Sequence, residues 1–176
     1  SRDSKGKYLP FSSKVNLLIV SSKGEGFMLN IPISLCFYKD EKKTKKKIST
    51  IKSCSALVYV LSSIYSRGNN FDNAILFNTD DNVVECSNSN IFIVKENVIY
   101  TPPVFDGCVS GTMRGWVLNN VTVIEKSLSE NEILNADEIF ITNSVNGIIP
   151  INKVEETKFF SFVLSTQLQK VLIGSL

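Results

Sequence analysis

The sequence predicts an α+β domain built on a curved, largely antiparallel sheet, and three observations carry that expectation. Short β-rich runs outnumber helical stretches, most of those runs are joined by connections short enough for hairpins, and helical periodicity is confined to a few separate segments. At 176 residues, 43% of them hydrophobic, a chain of this size can bury roughly 70% of its unfolded surface in one core, without staples or metals. No internal repeat or low-complexity linker divides it, so residues 1–176 read as one domain.

The polar opening stretch ends at Pro10, and residues 1–13 read as an interdomain or disordered segment. Lys14 to Val20 and Phe27 to Tyr38 are apolar and β-rich, with Pro32 at a strand start or edge because it has no N–H to give a ladder. From Ser53 to Arg67 the apolar positions Leu57, Val60, Leu61 and Ile64 recur at helical spacing, and Gly68 stops the segment. This is expected to be the longest, central helix. Four short β segments follow at 74–78, 82–86, 90–94 and 98–101; Thr79 to Asn82 and Lys95 to Asn97 suit hairpin turns between them. After Pro102 and Pro103, a Gly-bearing loop from Asp106 to Gly111 opens a short helix at Thr112 to Leu118. Next come a strand at Val121 to Glu125 and a helix led by Ser129 and Glu132 at capping-box spacing. Strands at Glu138 to Thr142 and Ile148 to Asn152, joined by a turn through Gly147, precede an amphipathic C-terminal helix from about Ser161.

Composition excludes whole classes of chemistry. The chain has no His, which removes Ser-His and Cys-His catalysis, His-ligated zinc and any His general base from this chain. The formal net charge is +2, but Lys39 to Lys47 holds six lysines against Asp40 and Glu41. No aromatic residue interleaves those lysines as a stacking platform would require, so the run is expected to be a solvated loop and no nucleic acid is expected as partner. The four cysteines are spaced too widely for a metal knuckle and lie in apolar or strand-like segments, as buried free thiols of a reducing compartment would. No apolar run reaches the roughly 18 residues of a membrane helix and no signal-peptide core is present, so no membrane is expected and the cytoplasm is the expected location.

Four motifs then go beyond composition. They are Glu85-Cys86-Ser87-Asn88-Ser89-Asn90-Ile91-Phe92, Thr101-Pro102-Pro103, Gly111-Thr112-Met113-Arg114, and Ala136 to Ser144 with Gly147 and Pro150. Their order and spacing over about residues 50 to 152 resemble the class IV aminotransferases, the fold-type IV enzymes dependent on pyridoxal 5'-phosphate (PLP). That family includes branched-chain and D-amino-acid aminotransferases and 4-amino-4-deoxychorismate lyases. The resemblance implies the larger, C-terminal domain of such an enzyme, a curved pseudo-barrel sheet with packed helices, and places the smaller N-terminal domain outside this chain.

It also implies roles residue by residue. Lys52, 33 residues before Glu85, falls where the family's cofactor-bearing lysine lies; such an amine must be unprotonated near neutral pH, and a place between Ile51 and the apolar helix face permits its burial. Glu85 would pair with the cofactor's pyridine nitrogen. Thr112 and Met113, opening a helix, would hold its phosphate through backbone amides, and Ser144 would reach the phosphate from the opposite side. Asn143 would line the substrate side. Taken alone, these are a helix-start lysine, a strand-edge glutamate, a helix cap and strand-end turn residues.

Two departures narrow the resemblance. Ser55, Ala56 and Leu57 stand where branched-chain enzymes carry a tyrosine for the cofactor's phenolic oxygen, and Met113 stands where many members have Thr, a change met among the lyase-like members. The expected activity is therefore that of a 4-amino-4-deoxychorismate lyase, releasing pyruvate and 4-aminobenzoate for folate synthesis. The alternatives are a branched-chain or D-amino-acid transaminase and an incomplete, non-catalytic fragment. The implied partners are a small amino substrate and a second copy of the chain in a homodimer.

Overall fold

Side-chain alternation along the strands sorts the apolar residues onto the two faces of one sheet. The computed structural model describes residues 17–23 and 26–175. Its nine strands are β1 (Ile33–Lys43), β2 (Asn73–Asn78), β3 (Val83–Cys86), β4 (Asn90–Lys95), β5 (Val98–Thr101), β6 (Val123–Glu125), β7 (Glu138–Asn143), β8 (Gly147–Val154) and β9 (Thr157–Lys158). They pair in the order β3-β2-β1-β8-β7-β4-β5-β6, with β9 on β8. The sheet curls into a half-barrel. Most pairs are antiparallel, as expected, but β1 runs parallel to both β2 and β8, and β5 runs parallel to β6. The parallel β1–β2 pair requires a long crossover, and α1 (Leu57–Gly68) supplies it.

Leu35, Phe37, Ile75, Phe77, Ile91, Ile93, Ile139 and Ile141 meet on one face, closed by Ile133 of α3 (Glu130–Leu134). The intervening residues point the other way and form two separate patches. Cys36, Tyr38, Ala74 and Leu76 pack under Val58, Tyr59 and Leu61 of α1. Phe92, Val94, Phe140 and Ile148 pack under α2 (Thr112–Asn120) and α4 (Val163–Gly174), which contribute Met113, Val117, Leu168 and Leu172. With both faces covered, the interiors of β2, β4 and β7 are continuous apolar runs instead of alternating with polar residues. The gap between the two helix-covered patches is where the candidate site lies.

Local chemistry explains the connections. Glu96 and Asn97, both at positive φ (51° and 62°), make the two-residue turn that closes β4 on β5, with Lys95 opposite Val98. Ser129 and Glu132 form the capping box expected of them. Gly147 takes a positive φ of 73°, and a Cβ there would stand 2.8 Å from the Leu172 side chain, so the turn favours glycine.

Several expectations are corrected. Leu17 to Val20 are exposed and in no regular structure, and pair with no strand among the described residues; β-rich composition without a partner does not make a strand. Residues 1–13, read as an interdomain segment, and 14–16 lie outside the described residues. The Lys39–Lys47 run is not a solvated loop throughout: its first half continues β1 as far as Lys43, which is buried. α1 begins four residues later than expected and equals α4 in length at 12 residues. Leu57, Val60 and Ile64 face outward, because the helix rests on the sheet through Val58, Leu61, Ser62 and Ser66. Among the cysteines, Cys36, Cys86 and Cys108 are buried and free as expected, but Cys54 is exposed in the segment before α1. No helix among the described residues is long and apolar enough to cross a membrane.

The stacked pair Phe92–Phe140, with ring centroids 4.9 Å apart, lies at the centre of the patch under α2 and α4. Phe92→Ala is expected to cost about 3–5 kcal/mol in urea unfolding, and Ser129→Ala only about 1 kcal/mol as a lost cap. Equal losses for the two would contradict this placement of the core.

Candidate active site

Three strand ends converge in the gap between α1 and α2: the end of β3 at Glu85 and Cys86, the start of β4 at Asn90, and the end of β7 at Thr142 and Asn143. Together with Lys52, Tyr59, the start of α2 and the turn after β7 they enclose a cavity of about 480 Å³, a size ordinary for a small-molecule site. All the residues expected at the site, Lys52, Glu85, Thr112, Met113, Asn143 and Ser144, line it.

Glu85 is the most constrained of them. Only 3% exposed, its Oε1 accepts hydrogen bonds from Lys43 Nζ and, at 2.8 Å, from the Tyr59 hydroxyl. Its Oε2 accepts from the Val109 amide at 2.9 Å and from Asn90 Nδ2 at 3.4 Å. Asn90 also donates to the Val109 carbonyl at 2.8 Å, tying the start of β4 to the loop that leads into α2. A Cβ on Gly111 would stand 2.2 Å from Asn90 Oδ1, so this close approach requires glycine. The Tyr59 phenol is pushed up by burial and then by the Glu85 charge, and stays a donor at neutral pH.

Lys52 is exposed, although its sequence context permits burial, and its amine lines the cavity with Nζ 5.8 Å from the Tyr59 ring centre. The segment that carries it is held by the Ser110 amide, which donates to the Thr50 carbonyl at 3.2 Å. At the opposite wall, α2 starts at Gly111 with no side-chain cap, leaving its first amides open toward the cavity. Thr112 is exposed, while Met113 turns its side chain into the core. Thr142 lines the cavity with a buried Oγ1 that meets no hydrogen-bond partner among the described residues. Ser144 is exposed at the rim. The Asn143 side chain is already engaged: it donates to Ser89 Oγ at 3.0 Å and accepts from the amides of Val145 and Asn146 at 3.0 and 2.8 Å, so its first task is to shape the turn.

Sequence reasoning missed Lys43 and Tyr59. Lys43 was hidden in a run of six lysines, and a register shift in β1 between Tyr38 and Lys43 breaks the parity that would have placed its side chain. Tyr59 could have been found, since it sits on the same helix face as Ser62 and Ser66, the face that lies against the sheet.

The burial of the thiols sets a pH dependence. Burial pushes Cys36 and Cys108 each up to about 11, and raises Cys86 as well. These groups keep their protons in the folded chain and lose them near pH 8.5 when unfolded, so the unfolded state binds fewer protons and stability falls as pH rises from about 8.5 to 11. Thermal unfolding across that range is expected to show a steady decline. Iodoacetamide at pH 8 is expected to label Cys54 and spare the other three; equal labelling by mass spectrometry would contradict the burial.

The amino-transferase class IV family model matches residues 1–154 of this chain. A Methanocaldococcus jannaschii protein assigned as a branched-chain-amino-acid aminotransferase is 34% identical over 110 residues, and the D-alanine aminotransferase of Bacillus licheniformis is 36% identical over 110 residues. Each match covers 60% of this chain and 38% of the relative, so the chain spans well under half the length of these curated relatives. Among solved structures, a Legionella pneumophila protein assigned as a 4-amino-4-deoxychorismate lyase superposes with a TM-score of 0.78 at 26% identity, covering 85% of this chain and 58% of that one.

Proposed function

Because the chain belongs to the class IV aminotransferases, a PLP-dependent family, we propose that the cavity between α1 and α2 is its PLP site, in the cofactor-binding large domain of an enzyme of the 4-amino-4-deoxychorismate lyase type. The observation that carries the cofactor reading is the complementarity of the cavity's two ends: the buried Glu85 carboxylate at one, and the uncapped start of α2 beside the unpartnered Thr142 hydroxyl at the other. A cationic pyridine nitrogen suits the first and a phosphate suits the second.

When bound, the cofactor supplies a ring that accepts the electron pair released as a substrate Cα bond breaks. Glu85 would hold the ring nitrogen in its protonated form, the ring N–H replacing the long 3.4 Å contact from Asn90 on Oε2. Thr112 and Met113 would bind the phosphate through their backbone amides, a contact that the Met113 side chain does not alter, with Ser144 and Thr142 adding hydroxyls. Lys52 would carry the cofactor on Nζ, and its amine would be the group that takes and returns a proton at the substrate Cα. Its exposure suits exchange with an incoming amine. Asn143, held by its own turn, would face the substrate side of the site.

The lyase reading is supported by Met113, by the likeness to the Legionella protein, and by the way Tyr59 is used: its hydroxyl accepts from Lys43 and donates to Glu85, which leaves it no proton for a phenolic oxygen. The two transaminase relatives favour a second reading, a branched-chain or D-amino-acid transaminase. A homodimer belongs to either reading, as an implication of the family.

Incubation with PLP followed by borohydride and peptide mapping is expected to leave a reduced pyridoxyl group on Lys52, and Lys52→Ala to abolish it. Label scattered over Lys39 to Lys47 would overturn the assignment. Pyruvate released from aminodeoxychorismate without an oxo-acid acceptor would support the lyase; strict dependence on an acceptor would support the transaminase.

A further inference from the structure

The lysine buried at this site is Lys43, not Lys52. Lys43 is 6% exposed and, unlike Glu85 and Tyr59, does not line the cavity. All three of its N–H donors are used, on Glu85 Oε1, on the Tyr59 hydroxyl at 2.6 Å and on the Ser49 carbonyl at 3.3 Å, and its ammonium stands 4.9 Å from the Tyr59 ring centre. Lys43, Tyr59 and Glu85 thus form a closed ring of hydrogen bonds: Lys43 donates to both partners and Tyr59 donates to Glu85. Neither charge of this pair has another counter-charge at hydrogen-bond distance among the described residues.

An isolated charge at such burial is costly, and removal of one partner leaves the other uncompensated. Lys43 therefore does more for Glu85 than add one hydrogen bond. Lys43 and Tyr59 both donate to Oε1, and together they fix its direction. We propose that Lys43 is a positioning residue that acts through Glu85, holding it as an oriented acceptor for the protonated ring nitrogen of the cofactor. This rests on the PLP reading above and adds to it a residue that never touches the cofactor.

The test is a double-mutant cycle on the full chain, with Lys43→Met, Glu85→Gln and the double variant, read by equilibrium titration of PLP and by thermal unfolding without cofactor. Lys43→Met is expected to raise the PLP dissociation constant at least tenfold in the parent and less than threefold in the Glu85→Gln background. Without cofactor, the double variant is expected to melt above either single variant, because it strands no buried charge. If Lys43→Met weakens PLP equally in both backgrounds, or not at all, the positioning role is overturned; additive melting losses would overturn the pairing itself. Should Lys43→Met fail to fold, Lys43→Gln takes its place in the cycle with the same expected outcomes, and should Glu85→Gln fail to fold, Glu85→Met takes its place. Failure of the parent chain to take PLP on Lys52 would overturn the cofactor reading and this role with it, whereas a failure confined to Lys43→Met leaves that reading intact.

Discussion

A carboxylate buried at the end of a strand has to be given donors and a counter-charge, and most of the site's construction answers that requirement at Glu85. Its four donors come from four separate places: Lys43 at the end of β1, Tyr59 on the first turn of α1, Asn90 at the start of β4, and the Val109 amide in the loop before α2. Elements far apart in sequence are thereby fixed against one another by one side chain. The cost of desolvating the charge is offset only when every donor is in place, so the site tolerates loss of any one of them poorly.

The cavity exists because the sheet cannot be covered evenly. α1 rests on β1 and β2, and α2 and α4 rest on β4, β7 and β8. The strand ends that lie between the two patches therefore meet neither helix body. Polar residues collect there, Ser87, Asn88, Ser89, Asn90, Thr142 and Asn143, beside the apolar interiors of β2, β4 and β7. Since α2 points its first turn into this gap, the open amides required at a helix start become part of the wall instead of a defect to be capped.

Most of the strands, the capping box before α3 and the hairpin turns were legible in the sequence, because each follows from local rules of alternation, turn chemistry and capping. What was not legible depended on pairing partners. Leu17 to Val20 has strand composition and no strand beside it, while Lys39 to Lys43 has loop composition and extends β1 at the centre of the sheet. Leu57, Val60 and Ile64 have helical spacing that says nothing about which side of the helix meets the sheet. The residues lining the site came from motif resemblance, and the two that were missed, Lys43 and Tyr59, lie outside those motifs. Their significance appears only when the register shift in β1 turns a lysine of the charged run inward against Glu85.

The same distinction between local and tertiary control explains why the start of α2 is a weak signal in the sequence. The Met113 side chain is buried with Phe92, Phe140 and Leu168, so packing under α2 and α4 decides which residue stands there. Its amide, by contrast, is placed by the helix start itself and would be present with any residue other than proline. A site that binds through backbone groups leaves its side chains free to serve the core, and little trace in composition. Glu85 is the opposite case: nothing but a carboxylate accepts from all four of its donors at once, which is why the glutamate motif was the most readable part of the site.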